Sequence, residues 1–234
     1  MINKTDIRQF PSYRIPEASH YLRIPVSTIR CWVFGQNYPV SKGKSRSQRL
    51  IKLPDKDRQL LSFLNLCEIH VLNAIRREHE ISLQKVRMAL DYVKKIFGDE
   101  LERPLIDIKF ETDGIDLFVS EYSKLINVTA GGQMEMKECL KAYLKRIEYD
   151  EHGIVWKLYP FIRKRDFNEP KVIVIDPHLS FGRPVITGTG IATEVIAERY
   201  KAGESVGELA ADYSIPNQQI EEAIRCELQL KTAA

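Results

Sequence analysis

YRIPEASHYLRIPVSTIRCWVF, residues 13–34, carries two short helical patterns joined by a tight turn. In the first, Pro16 and Glu17 suit an opening turn, where a missing N–H does no harm and a carboxylate meets the positive end of the helix dipole. Ala18, Tyr21 and Leu22 recur at helical spacing and supply an inner face. Pro25 closes a three-residue connection, and Ser27 or its neighbour is placed to cap a second helix that carries Ile29, Trp32 and Val33 inward. Two short helices about such a turn make a helix-turn-helix unit.

In that unit the second helix enters the major groove with its N-terminal polar residues leading. Here those residues are Ser27, Thr28 and Arg30. Hydroxyls reach phosphates or base edges, and a guanidinium forks onto guanine. The bland alternative pairs Arg30 with a nearby carboxylate. Downstream, SKGKSRSQRLIK (41–52) reads as a basic turn entering a strand at 50–53. Lys42, Lys44, Arg46 and Arg49 would line a wing that lies along the phosphate backbone, adding salt-dependent affinity and little sequence choice. Residues 13–54 resemble the DNA-binding domain of the MerR family, through IPEASHYL, the VSTIRCW helix start and the basic wing. They depart from it at Arg23, where such turns often carry glycine, and at Cys31, where an aromatic is common.

Charge divides the chain in the same way. Residues 1–60 hold 12 Lys/Arg against 4 Asp/Glu, a net +8, whereas residues 172–234 hold 5 against 9, a net −4. A basic head on an acidic body suggests that the head meets a polyanion and the tail something else. With 234 residues, two or three compact units are expected, and 44% hydrophobic content excludes a disordered or fibrous chain. The polar start lacks a signal-peptide pattern, and no apolar run reaches membrane-spanning length. Cys31, Cys67, Cys139 and Cys226 are scattered without a CxxC pair, so a reducing cytoplasm is expected, with neither disulfides nor zinc fingers.

The middle reads as core helices and hairpins. Residues 57–77 place Leu60, Leu61, Leu64, Cys67, Val71, Leu72 and Ile75 at three- and four-residue spacing. Ser82 then caps an amphipathic helix with Leu83, Val86, Leu90, Val93 and Phe97 inward and Gly98 just past its end. That near-heptad stripe calls for a partner helix in the same chain or in a second copy. Ile106, Ile108 and Phe110 are expected on one strand face, Asp113-Gly114 in a turn, and Leu117 with Val119 on the returning strand. A further strand at 125–128, a helix at about 134–146, a hairpin joining 147–150 to 154–159 and a linker at 164–170 complete the expectation.

Catalytic signatures are not found. Glu148, Asp150, Glu151 and His152 crowd one hairpin tip, but neighbours on a strand alternate faces and such tips are usually solvated. His70 and His79 lie nine residues apart, not the four that would place both on one helix face for zinc, and His20 and His178 have no ligand-spaced partner. There is no phosphate-loop motif, and Gly188-Thr189-Gly190 lacks dinucleotide-fingerprint spacing. The chain is expected to be no enzyme and to use no cofactor or metal.

The tail opens with a buried strand at 172–175, a turn at Asp176-Pro177 and the glycine-punctuated loop FGRPVITGTGI. Three helices follow. The second starts with a Ser205/Glu208 capping box, and the third, capped by Asn217, carries Ile220, Ala223, Ile224 and Leu228. This is helix-turn-helix geometry, yet the third helix sets Glu221, Glu222 and Glu227 against one Arg225, which repels phosphate and suits a protein partner. Residues 171–228 resemble the VapB-type antitoxin-associated domain, with Gly182, Pro184, Val185, Ile186, Gly188, Thr189, Gly203, Ser205 and Tyr213 on its pattern. They depart from it at Thr187 and Gly190, where arginines are frequent.

The expected fold is therefore α+β and mainly helical. It comprises an N-terminal winged helix-turn-helix at 1–80, a mixed helix and hairpin middle at 81–165 that could dimerise, and a C-terminal three-helix unit with short strands at 171–234. The resemblance implies the antitoxin of a type II toxin–antitoxin module, which binds double-stranded DNA at its own operator and holds a PIN-like ribonuclease toxin. Ile215, Gln218, Glu221, Glu222, Arg225 and Leu228 would serve toxin binding or oligomerisation. A homodimer or a higher toxin–antitoxin assembly is expected, with no membrane partner. The rival readings are a stand-alone MerR-like regulator with a ligand-sensing middle, and a metal-dependent nuclease, for which converging carboxylates are not evident.

Overall fold

The computed structural model describes residues 6–35, 37–40, 43–46, 49–55, 57–78, 83–98, 103–107, 110–126, 129–163 and 167–228. Among them nine α-helices and three two-stranded antiparallel sheets give an α+β, mainly helical molecule. The head holds α1 (Ile15–Leu22), α2 (Val26–Phe34) and a hairpin of β1 (Asn37–Val40) with β2 (Gly43–Arg46). The expected strand at 50–53 does not form; instead the amides of Leu50 and Ile51 both donate to the Trp32 carbonyl, tying the chain to α2 as it leaves the hairpin.

Four helices make the middle: α3 (Phe63–Glu78), α4 (Leu83–Phe97), α5 (Ile115–Ile126) and α6 (Ala130–Leu144). α3 is the hub, with Leu64, Leu66, Cys67, Ile69, Val71, Leu72, Ala74 and Ile75 all buried. Asn65, Glu68 and His70 are buried on it too, so the helix is enclosed on every side and belongs inside the fold. It starts at Phe63, not at 57, because Leu61 forms an antiparallel bridge with Tyr13 and Asn65 closes a turn onto the Ser62 amide. The stripe on α4 finds its partner within the chain: Val86, Leu90 and Val93 are buried where α4 meets α5. Gly98 ends that helix with φ +98, a conformation glycine adopts without strain.

The segment from 104 to 126 corrects the expectation of strands. Residues Pro104–Ile106 form a 3₁₀ turn, Phe110–Gly114 a π-helical turn, and α5 follows directly. Ile115, Phe118, Val119 and Tyr122 are buried at helical spacing, so a three- and four-residue period prevails over the two-residue one. Residues 108–109 and 127–128, which fell in the expected strands, lie outside the described residues.

After α6 the chain forms the expected hairpin, β3 (Ile147–Tyr149) with β4 (Val155–Leu158). Leu158 in turn exchanges both backbone bonds with Ile175, which joins the hairpin to the tail. The expected linker is partly structural. Glu169 is buried, its carboxylate accepting the Ile162 and Arg163 amides at 2.7 Å each. The buried Arg146 guanidinium donates to the carbonyls of Tyr159, Pro160 and Glu169.

The tail holds β5 (Ile173–Val174), β6 (Val185–Ile186), α7 (Thr193–Lys201), α8 (Val206–Tyr213) and α9 (Asn217–Glu227). Its own core gathers Ile173, Ile186, Ile196, Leu209, Ile220 and Ala223. Ser205 and Glu208 form the expected capping box of α8. α9 has no side-chain cap: Pro216 holds the N-cap position and Asn217 is the first helical residue. The same correction applies at α2, where Pro25 rather than Ser27 or its neighbour holds the N-cap position without a side-chain bond.

Candidate functional site

The head presents its second helix as a helix-turn-helix requires. Ile29, Trp32 and Val33 are buried, and Ser27 and Arg30 are exposed, with Thr28 half-buried between them. Arg30 makes no ion pair with any described residue; its guanidinium lies over the Phe34 ring, 5.3 Å from the centroid. A cation so placed keeps its donors available to an incoming phosphate or base edge. Arg49 is exposed at the exit of the β1–β2 hairpin, and its carbonyl accepts a 3.0 Å bond from Arg87 on α4. Lys44 and Arg46 lie on β2, opposite Pro39 and Asn37. Lys42 lies outside the described residues.

The turn between α1 and α2 shows why Arg23 replaces the glycine of similar turns. Arg23 is left-handed (φ 57, ψ 37), a conformation that costs a non-glycine residue about 1–2 kcal/mol. Its side chain reaches the far end of the molecule and caps α9. The guanidinium donates to the Arg225 and Cys226 carbonyls at 2.6 Å each and to the Leu228 carbonyl at 3.3 Å. These are carbonyls that a helix end leaves without intrahelical partners, and a cation there also meets the negative end of the dipole.

Two further contacts fasten head to tail. In one, His20 Nε2 lies 3.0 Å from Glu227 Oε2 of a carboxylate that, within the tail, also accepts the Thr193 hydroxyl. Burial alone would push the Glu227 carboxyl up, but its bonds to His20 and Thr193 and the charges of His20 and Arg23 hold it below the ordinary carboxylate range. Tyr13 donates its hydroxyl to the Gly182 carbonyl at 3.0 Å, and burial pushes that phenol well up, keeping it a neutral donor. All of these contacts fall on α1, its turn and its approach, so the exposed start of α2 stays open.

The tail residues expected to meet a partner divide. Gln218, Glu221 and Leu228 are exposed, Arg225 is half-buried, and Ile215 packs against the tail core. Glu222 is not displayed: it is 2% exposed and pairs with both Arg163 and Arg225. Glu227 is likewise turned inward to His20 and Thr193. Charge counting missed this, because a buried glutamate paired with half-buried arginines serves the fold rather than the surface. His70 is a core histidine, stacked with Phe161, tilted against the Tyr143 ring and bonded to the Tyr143 carbonyl. Among the described residues, no group of three His, Cys, Asp or Glu side chains is placed to hold a metal, and no helix is long and apolar enough to cross a membrane.

Comparison with known proteins finds two family matches and a relative along most of the chain. Residues 11–90 match a family described as "Putative DNA-binding HTH domain", and residues 173–225 match a "Protein of unknown function" family, DUF433. The chain is 27% identical over 230 residues to a "Putative antitoxin VapB45" of Mycobacterium tuberculosis (strain ATCC 25618 / H37Rv), covering 92% of each chain. The fold is shared with the crystal structure of Rv2018 from Mycobacterium tuberculosis, at a TM-score of 0.63 and 22% identity, covering 92% of this chain and 98% of that one. The resemblance to VapB-type antitoxins thus extends along nearly the whole chain.

Proposed function

We propose that this VapB-like chain is the antitoxin of a type II toxin–antitoxin system. The head binds operator DNA and represses its own operon; the tail binds and neutralises a PIN-like ribonuclease. One observation carries the DNA half: Ser27 and Arg30 stand exposed at the start of a helix whose other face is buried, beside a basic hairpin. The toxin half rests on the name of the full-length relative and on an acidic tail, since a ribonuclease must attract RNA phosphates and so presents cations to its inhibitor. A homodimer or a higher toxin–antitoxin assembly would set the spacing of the two DNA half-sites.

The division into a DNA-binding part at 1–80, a middle at 81–165 and a partner-binding part at 171–234 belongs to the same proposal. Co-expression with the adjacent reading frame, followed by affinity purification, tests it. A stoichiometric partner that inhibits growth when expressed alone supports the assignment; a chain that purifies alone and alters no growth phenotype contradicts it.

One observation favours a second reading, that of a ligand-responsive regulator. A cavity of about 310 Å³ opens between α1 and the tail, lined by Glu17, His20, Tyr21, Arg183, Glu194 and Glu227 among others. It lies at the head–tail seam rather than in the middle, so a ligand there would act on the position of the helix-turn-helix.

A further inference from the structure

The loop at 178–183 is tied into the fold by its backbone, while its Phe181 side chain is not. Ser180, Phe181 and Gly182 are three consecutive left-handed residues, with φ 46, 56 and 75. A bulky side chain at positive φ is an outlier, and glycine at 181 would relieve it. Phe181 is 95% exposed, so burial within the chain gives nothing in return. The turn is nonetheless held firmly. Gly182 N bonds to the Leu179 carbonyl at 2.8 Å, Ser180 Oγ to the Gly190 carbonyl at 3.2 Å, and the Gly182 carbonyl to Tyr13. A rigid, strained turn that lifts an aromatic ring into solvent marks a function outside the fold.

Other apolar side chains of the same region are exposed. Leu179 is 40% exposed, and Trp156, 37% exposed, stacks on His178 with centroids 4.8 Å apart. Arg183, two residues on, pairs with Glu194, whose chain neighbour Val195 is exposed. The net charge of the tail selects the occupant. Between 171 and 228 the exposed charged residues are Glu194, Glu198, Glu208, Asp212 and Glu221 against Lys171, Arg183 and Lys201. This acidic surface repels nucleic acid, and it repels an identical surface from a second copy across a two-fold axis. It fits a cationic protein.

We propose that Phe181 is the anchor by which the acidic tail docks a cationic folded protein, its ring entering an apolar pocket of the partner. The proposal rests on the antitoxin reading above and deepens it: the toxin-facing surface centres on the loop at 178–183, rather than on α9. Exposed aromatic anchors of this kind typically dominate the affinity of an interface.

The test uses the full chain and the purified protein from the adjacent reading frame, made catalytically inactive. Binding is measured by calorimetry for wild type, Phe181→Gly, Phe181→Ala and Gln218→Ala/Glu221→Ala, with thermal midpoints and sedimentation in parallel. Phe181→Gly is expected to bind about 30-fold or more weakly, with a midpoint no lower than wild type because the left-handed strain is gone. Phe181→Ala, which keeps a Cβ in the strained turn, is expected to lose the same affinity. Full affinity in both Phe181 variants with loss in the α9 variant overturns the proposal and leaves the antitoxin reading standing. Unchanged partner affinity with a lost self-association assigns the ring to a second copy, which also overturns it. A wild-type chain that does not bind this protein overturns both readings together.

Discussion

Replacing Arg23 with glycine removes a strain and a bond network together, and the balance between them has a sign. The left-handed backbone at Arg23 (φ 57) relaxes by about 1–2 kcal/mol in glycine. Against that, two charge-assisted bonds of 2.6 Å to the Arg225 and Cys226 carbonyls vanish, each worth about 1.5–3 kcal/mol, while the 3.3 Å bond to Leu228 adds little. The Nε of Arg23 is buried without an acceptor among the described residues, which reduces the gain from the network. The net expectation for Arg23→Gly is a loss of about 1–3 kcal/mol. Arg23→Ala loses the same bonds and keeps the strain, so it should fall about 1 kcal/mol further. Urea denaturation of the full chain reads both variants against wild type. A glycine variant as stable as wild type, or more stable, would refute the claim that this side chain fastens head to tail.

Three other outcomes follow from the same seam. At Gly182 (φ +75) an added Cβ would sit 2.0 Å from the Tyr13 hydroxyl oxygen, so Gly182→Ala should cost about 2–4 kcal/mol. Tyr13→Phe alone should cost about 1–2 kcal/mol, and because it also removes the clashing oxygen, the double variant should lose distinctly less than the two losses added, as a thermal-unfolding cycle will show. Glu227→Gln should narrow the stability gap to wild type as pH falls. Because the folded carboxyl lies below its ordinary value of 4.5, its contribution is complete above that pH and disappears as pH drops through the folded value; a gap independent of pH between 7 and 3 excludes this coupling. Truncation after about residue 165 should give an unstable protein rather than a clean DNA-binding fragment, because it strips the partners of Leu158, Tyr13 and Arg23; limited proteolysis checks it.

The head was legible from sequence because short amphipathic helices with proline at their starts announce themselves: Ala18, Leu22, Ile29, Trp32 and Val33 all fall on the buried face. Both the capping box at Ser205 and the hairpin from Ile147 were equally plain. The region from 104 to 126 was not. Alternating apolar residues and an Asp-Gly pair imitate a hairpin, whereas burial against α4 and α6 selects a helix, a long-range effect that no local window contains. Charge was legible as a total and misleading in detail, since Glu222 and Glu227 are held internally by residues 59 and 207 positions away. The departure at Arg23 was the one visible trace of the head–tail seam: an arginine where glycine is easier needs a reason, and the C-terminus of α9 supplies it.

The account stands most directly on the exposed start of α2 and the basic hairpin as the DNA-contacting surface. Labelled operator DNA titrated with wild type and with Arg30→Ala/Arg49→Ala, over a series of salt concentrations, measures this. Arg30 on a base edge is worth about 1–3 kcal/mol, so the affinity should fall by at least about fivefold. Loss of the Arg49 phosphate contact should flatten the salt dependence by about one counterion. Equal affinity and an equal salt slope in the two proteins would contradict it.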